Sequence, residues 1–142
     1  MEFGELLREL TLVLNTLHRR RVCSGRQTLS QCFLLLSIPD GGVDMSTLSS
    51  HLGLDNSTMT RLVRTLENKD LVGREKAKAD RRVTLVSLTE KGEELADEIE
   101  RTIDSMGEEV LSGMSTERRE DVHESLETVL WSLTKATLKH PS

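Results

Sequence analysis

"LSSHLGLDNSTMTRLVRTLENKDLVGREKAKADRRVTLVSLTEKG", Leu48 to Gly92, decides the fold of this 142-residue chain. Leu48, Leu52, Leu54, Met59, Leu62, Val63 and Leu66 have the spacing of two helices crossing at a short turn. Gly53 falls where that turn needs a residue free of Cβ strain. Asp55 is placed to cap the second helix by accepting backbone N–H bonds. Met59, Leu62, Val63 and Leu66 share one helix face, and Ser57, Thr60, Arg61, Arg64 and Asn68 point away from it. Beyond them, "LVGREK" and "RVTLVSL" are β-prone runs joined by the charged tip "AKAD". A helix-turn-helix followed by a β-hairpin is a winged helix.

Long helices flank it on both sides. Leu6, Leu10, Val13, Leu14 and Leu17 predict an amphipathic helix over residues 3 to 21. "VCSG" interrupts it, and "TLSQCFLLLSI" reads as a largely buried second helix closed by the turn residues Pro39 to Gly42. The two helices of the central motif run from Ser46 to Leu52 and from Asn56 to about Lys69. From Thr89 to about Leu111 a helix carries Leu95, Ile99, Ile103, Met106 and Val110 on one side. After "SGMSTE", a last helix from Thr116 to about Lys139 is expected to turn Val122, Leu126, Val129, Leu130 and Leu133 inward. The fold class is therefore mainly α with a small β-hairpin wing. The apolar stripes of the first and last helices exceed what a domain of roughly 90 residues can cover. Self-association is the economical way to bury them.

Charge is polarised along the chain. The formal net charge is −5, which argues against nonspecific coating of nucleic acid. Yet Asn56 to Val86 holds eight basic and four acidic residues, a local +4, whereas Glu93 to Glu127 holds thirteen acidic and three basic, a local −10. The positive end coincides with the helix-turn-helix and hairpin. No apolar run reaches the roughly 20 residues that span a bilayer, and no secretory leader opens the chain. The expectation is a soluble, cytoplasmic protein without membrane partners. An enzyme would need a nucleophile with its base, paired carboxylates in a cleft or a cofactor motif, and the sequence offers none. Glu93, Glu94, Asp97 and Glu98 read as a solvated helix face, and no cofactor is expected. His18, His51, His123 and His140 are scattered without metal-ligand spacing. Cys23 and Cys32 do not make a disulfide framework.

The hairpin tip carries Lys78, Asp80, Arg81 and Arg82. A wing beside a recognition helix can reach a minor groove, where narrow A·T-rich DNA concentrates negative potential and attracts arginine. Asp80, two residues before Arg82, can fix the guanidinium through charge-assisted hydrogen bonds. The bland alternative is a hairpin-stabilising ion pair with no ligand.

These residues resemble the MarR family of winged-helix regulators. The resemblance is densest from Leu48 to Leu95, and its most specific parts are Asp80-x-Arg82 and the following "LTEKG". It implies a homodimer whose first and last helices interlock, binding double-stranded DNA at a pseudo-palindromic, inverted-repeat operator. Such proteins usually repress until a small-molecule inducer, often a planar anionic aromatic, or an oxidant lowers DNA affinity. By position, residues 1–27 are an N-terminal dimerisation helix, 28–92 the winged helix-turn-helix and 93–142 the C-terminal dimerisation helices. Asn56, Ser57, Thr58, Thr60, Arg61 and Arg64 then belong to the recognition helix in the major groove. Arg82 sits in the minor groove steadied by Asp80, while Lys78 and Arg81 meet phosphate. The tip reads Ala77-Lys78-Ala79, without the proline the family often has there. Two other readings stay open. Cys23, after three arginines, is the candidate thiol of a redox-sensing regulator. A winged helix can also serve as a protein-interaction module without DNA.

Overall fold

Side-chain caps start the helices of the central motif. In the computed structural model, which describes residues 1–23 and 25–139, Thr28 precedes α2 (Leu29–Leu36). Its hydroxyl accepts the Gln31 N–H at 3.2 Å, and Gln31 Oε1 accepts the Thr28 N–H at 3.1 Å. Asp44 caps α3 (Met45–Leu52) and Asp55 caps α4 (Asn56–Asn68). Each aspartate accepts the backbone N–H and the hydroxyl of a threonine three residues on, Thr47 at 2.8 and 2.6 Å and Thr58 at 2.8 and 2.9 Å. Those bonds favour the ionised carboxylates and lower both pKa values, through the Thr47 hydroxyl first at Asp44 and the Thr58 N–H first at Asp55. Gly53 ends α3 in the left-handed region, φ 63°, as a residue without Cβ does at low cost.

Before these helices lies α1 (Phe3–Arg21); after them, β2 (Val72–Lys76) and β3 (Thr84–Leu88) form the hairpin. A third strand, β1 (Val43–Asp44), joins them in the antiparallel order β1-β3-β2, pairing Val43 with Val86. The sequence reading had no strand there: two residues are too few to show a period of two. α5 (Glu90–Ser112) and α6 (Thr116–Lys139) complete the chain, and no helix among the described residues is long and apolar enough to cross a membrane. This is the expected mainly helical winged helix with its small sheet.

The chain divides into two compact units, Met1–Ile103 and Asp104–Ser142. In the first, Cys32, Leu34, Leu35, Leu48, Met59, Val63, Leu66 and Val86 are all but inaccessible to solvent and form the core. Aliphatic side chains fill it because the sequence has only three aromatic residues. α1 contributes no buried residue: Leu6, Leu10, Val13 and Leu14 stay exposed in the single chain. In the second unit the Ser115 carbonyl accepts the N–H groups of Arg118 and Arg119 and so starts α6. Val122 and Val129 are half-buried, but Leu126, Leu130 and Leu133 are exposed, against the inward orientation expected for them. The stripe is real as a period; one copy of the chain does not cover it.

The motif "LTEKG" has a structural use. Asp70 takes a left-handed turn, φ 58°, between α4 and β2. Thr89, just before α5, donates its hydroxyl to the Asp70 carbonyl at 2.7 Å and its N–H to the Leu71 carbonyl at 3.1 Å. The same hydroxyl accepts the Gly92 N–H at 3.0 Å and so caps α5. Lys91 Nζ donates to the Lys69 carbonyl at 3.0 Å. Gly92 is buried against this turn, and a Cβ there would overlap the Leu71 carbonyl oxygen.

Candidate nucleic-acid interface

α4 buries Met59, Val63 and Leu66, with Leu62 half-buried beside them. The opposite face leaves Asn56, Ser57, Arg61 and Arg64 exposed. Thr58 and Thr60, also expected among the recognition-helix residues, are half-buried and their hydroxyls serve the helix itself. Thr58 donates to Asp55 as part of the cap, and Thr60 donates to the Asn56 carbonyl at 2.8 Å. Each hydroxyl oxygen keeps lone pairs to accept with, but its proton is engaged. Arg74 on β2 is bound to Glu67 on α4 at 2.7 and 3.0 Å, so its charge holds helix and hairpin together. Lys76 likewise bonds Thr84 across the hairpin at 3.1 Å.

The hairpin ladder continues past the strands, with the Ala77 N–H on the Val83 carbonyl at 2.9 Å. A turn follows, closed by the Val83 N–H on the Asp80 carbonyl at 3.0 Å. The Asp80 carboxylate grips Arg82 three times. Oδ1 accepts the backbone N–H at 3.0 Å and Nε at 3.1 Å, and Oδ2 accepts Nη2 at 3.2 Å. The guanidinium and then the backbone N–H of Arg82 hold the Asp80 pKa below the usual carboxylate value. Arg82 is 91% exposed and Asp80 42%. An ion pair so open to water adds little to stability; what it does is orient the guanidinium. Lys78 and Arg81 stand exposed on the same tip.

Residues 28–84, from the cap of α2 to the first residue of β3, match the family model described as MarR family. The winged helix is of the MarR type. The chain is also similar to MepR from S. aureus, solved as a MepR–DNA complex, at 23% identity over 94% of this chain and 99% of that one, TM-score 0.75. It is 26% identical to the transcriptional regulator Tm0710 from Thermotoga maritima, over 94% of this chain and 95% of that one, TM-score 0.66. A structure of Bordetella bronchiseptica BpsR, described in terms of the regulation of its DNA binding by 6-hydroxynicotinic acid, is 20% identical. That match covers 90% of this chain and 92% of that one, TM-score 0.73. These likenesses show a fold shared with those proteins over nearly the whole chain.

Beside the MarR-type winged helix, an open crevice of about 910 Å³ lies within the first unit. Arg26, Lys69, Lys91, Glu94 and Glu98 line it with charges of both signs, together with the apolar Leu71 and Leu95. The thiols hold a surprise: Cys32 is buried, and its pKa is pushed up to about 12, first by that burial and then by the neighbouring Cys23. Their proximity was not legible in the sequence, and a thiol raised so far is a poor nucleophile. Cys23 itself is half-buried. Among the described residues no three His, Cys, Asp or Glu side chains form a group that could hold a metal ion, and His140 lies outside them.

Proposed function

We propose that the chain is a sequence-specific DNA-binding transcriptional regulator, a homodimer that represses by occupying an inverted-repeat operator and is released by a small anionic ligand. One observation carries the reading: Arg82, clamped in one orientation by Asp80, is almost fully exposed at the hairpin tip. A guanidinium oriented by Asp80 keeps further N–H donors with which to bond a phosphate outside the fold. The exposed face of α4 supports it, with Arg61 and Arg64 one turn apart, and so does the DNA complex of MepR. Exposed stripes on α1 and on α6 support a second copy as partner. Release by a ligand draws on BpsR and on the cations that line the crevice.

Salt titration tests the reading against a protein-interaction module. Binding through several phosphates makes log K fall with log salt at a slope of about −0.9 per phosphate. Affinity that ignores salt overturns the DNA reading. Two substitutions locate the contacts. Arg64→Ala lowers operator affinity by about 1–3 kcal/mol in a gel-shift titration if that side chain reads a base. Equal loss on every duplex assigns it to phosphate. Arg82→Ala weakens binding and flattens any preference in the A·T-rich flank, read by competition between flank variants; an unchanged flank preference removes Arg82 from the minor groove.

A further inference from the structure

The recognition helix ends where two other segments meet it. Lys69, the residue that closes α4, donates from Nζ to the Arg26 carbonyl at 2.6 Å, a bond joining positions 43 apart. The same ammonium approaches Gln31 Oε1 at 3.4 Å, the amide oxygen that also accepts the Thr28 N–H to cap α2. Through its carbonyl, Lys69 accepts Lys91 Nζ at the start of α5. One residue thus fastens the end of α4 to the α1–α2 loop by its side chain and to α5 by its backbone.

The other restraints on α4 act elsewhere. Asp55 fixes its first turn, while Met59, Val63 and Leu66 fix its rotation against the core. The Glu67–Arg74 pair holds it to β2. Only the Lys69 ammonium, among these, reaches the α1–α2 loop. A charged donor on a backbone carbonyl is among the stronger hydrogen bonds, and it leaves that ammonium engaged with the protein's own backbone.

We propose that Lys69 is a positioning residue for DNA recognition, its ammonium on the Arg26 carbonyl setting the angle at which α4 is presented. It governs discrimination between sequences and not affinity for phosphate. This inference rests on the regulator reading above.

The test compares wild type, Lys69→Met and Lys69→Arg on a selected operator and on an unrelated duplex across a salt series, with amide exchange of residues 26–31 followed in the free protein. Methionine keeps an unbranched stem of similar size and removes the donor; arginine restores one. Lys69→Met is expected to lower the ratio of specific to nonspecific affinity about tenfold. Its salt slope stays that of wild type, exchange across 26–31 quickens, and Lys69→Arg restores both ratio and exchange. A slope shallower by about one unit, with both duplexes weakened alike, makes Lys69 a phosphate contact and overturns the proposal. An unchanged ratio overturns it too. Failure of the wild type itself to discriminate duplexes overturns the regulator reading, and this inference with it.

Discussion

Gly92→Ala destabilises the protein by about 1–3 kcal/mol, the usual cost of forcing an extra methyl into filled space. Helix propensity alone points the other way, since alanine favours a helix over glycine by about 1 kcal/mol. The close approach wins because the obstacle is backbone: the new Cβ would meet the Leu71 carbonyl, whose oxygen already accepts the Thr89 N–H. Neither partner can rotate aside as a side chain would. Moving α5 away instead breaks the bonds of Thr89 to Asp70 and of Lys91 to Lys69. Gly107, in the same helix, is the internal control. A Cβ there meets nothing within 4 Å, so Gly107→Ala is expected to raise the unfolding midpoint slightly. Thermal and urea unfolding of the two variants read this directly; equal shifts of the same sign would remove the packing role of Gly92.

The contrast shows which parts of the chain were open to reading. The helix-turn-helix was legible because its signals are local: Asp55 at the cap, Gly53 at the turn, and Met59, Val63 and Leu66 on a helical period. The wing was legible for the same reason, with Asp80 and Arg82 two residues apart. "LTEKG" could be recognised by resemblance but not explained, since its bonds go to a turn some twenty residues earlier. The tie between Lys69 and Arg26 and the adjacency of Cys23 to Cys32 depend on how α1, α2 and α4 come together. β1 is too short to announce itself. Thr58 has a second use beside its expected place on the recognition helix. Its place three residues after Asp55 is a capping signal, so its hydroxyl turns to the cap.

Leu130→Asp is expected to convert a dimer to monomers in sedimentation, the largest effect of any single substitution considered. Leu130 is 65% exposed in the single chain, and Leu126, Trp131 and Leu133 on the same helix are exposed with it. A cluster of large apolar side chains left in water marks an association surface, and α6 has no buried residue among those described. If a second copy covers it, aspartate places an unpaired carboxylate in that interface, at a cost of about 3–5 kcal/mol. Because Leu130 buries little within its own chain, the monomer should keep its helical signal. A dimer that survives locates the interface away from this part of α6. Monomers should also lose most operator affinity, since two linked half-sites bind far more tightly than one.

Selection of bound duplexes from a random pool, with wild type and Arg82→Ala in parallel, tests the central claim most directly. Enrichment of an inverted repeat by the wild type, with its A·T-rich flank preference lost in Arg82→Ala, is the predicted result. No enrichment by either protein at low salt with reduced thiols would contradict DNA recognition by this winged helix.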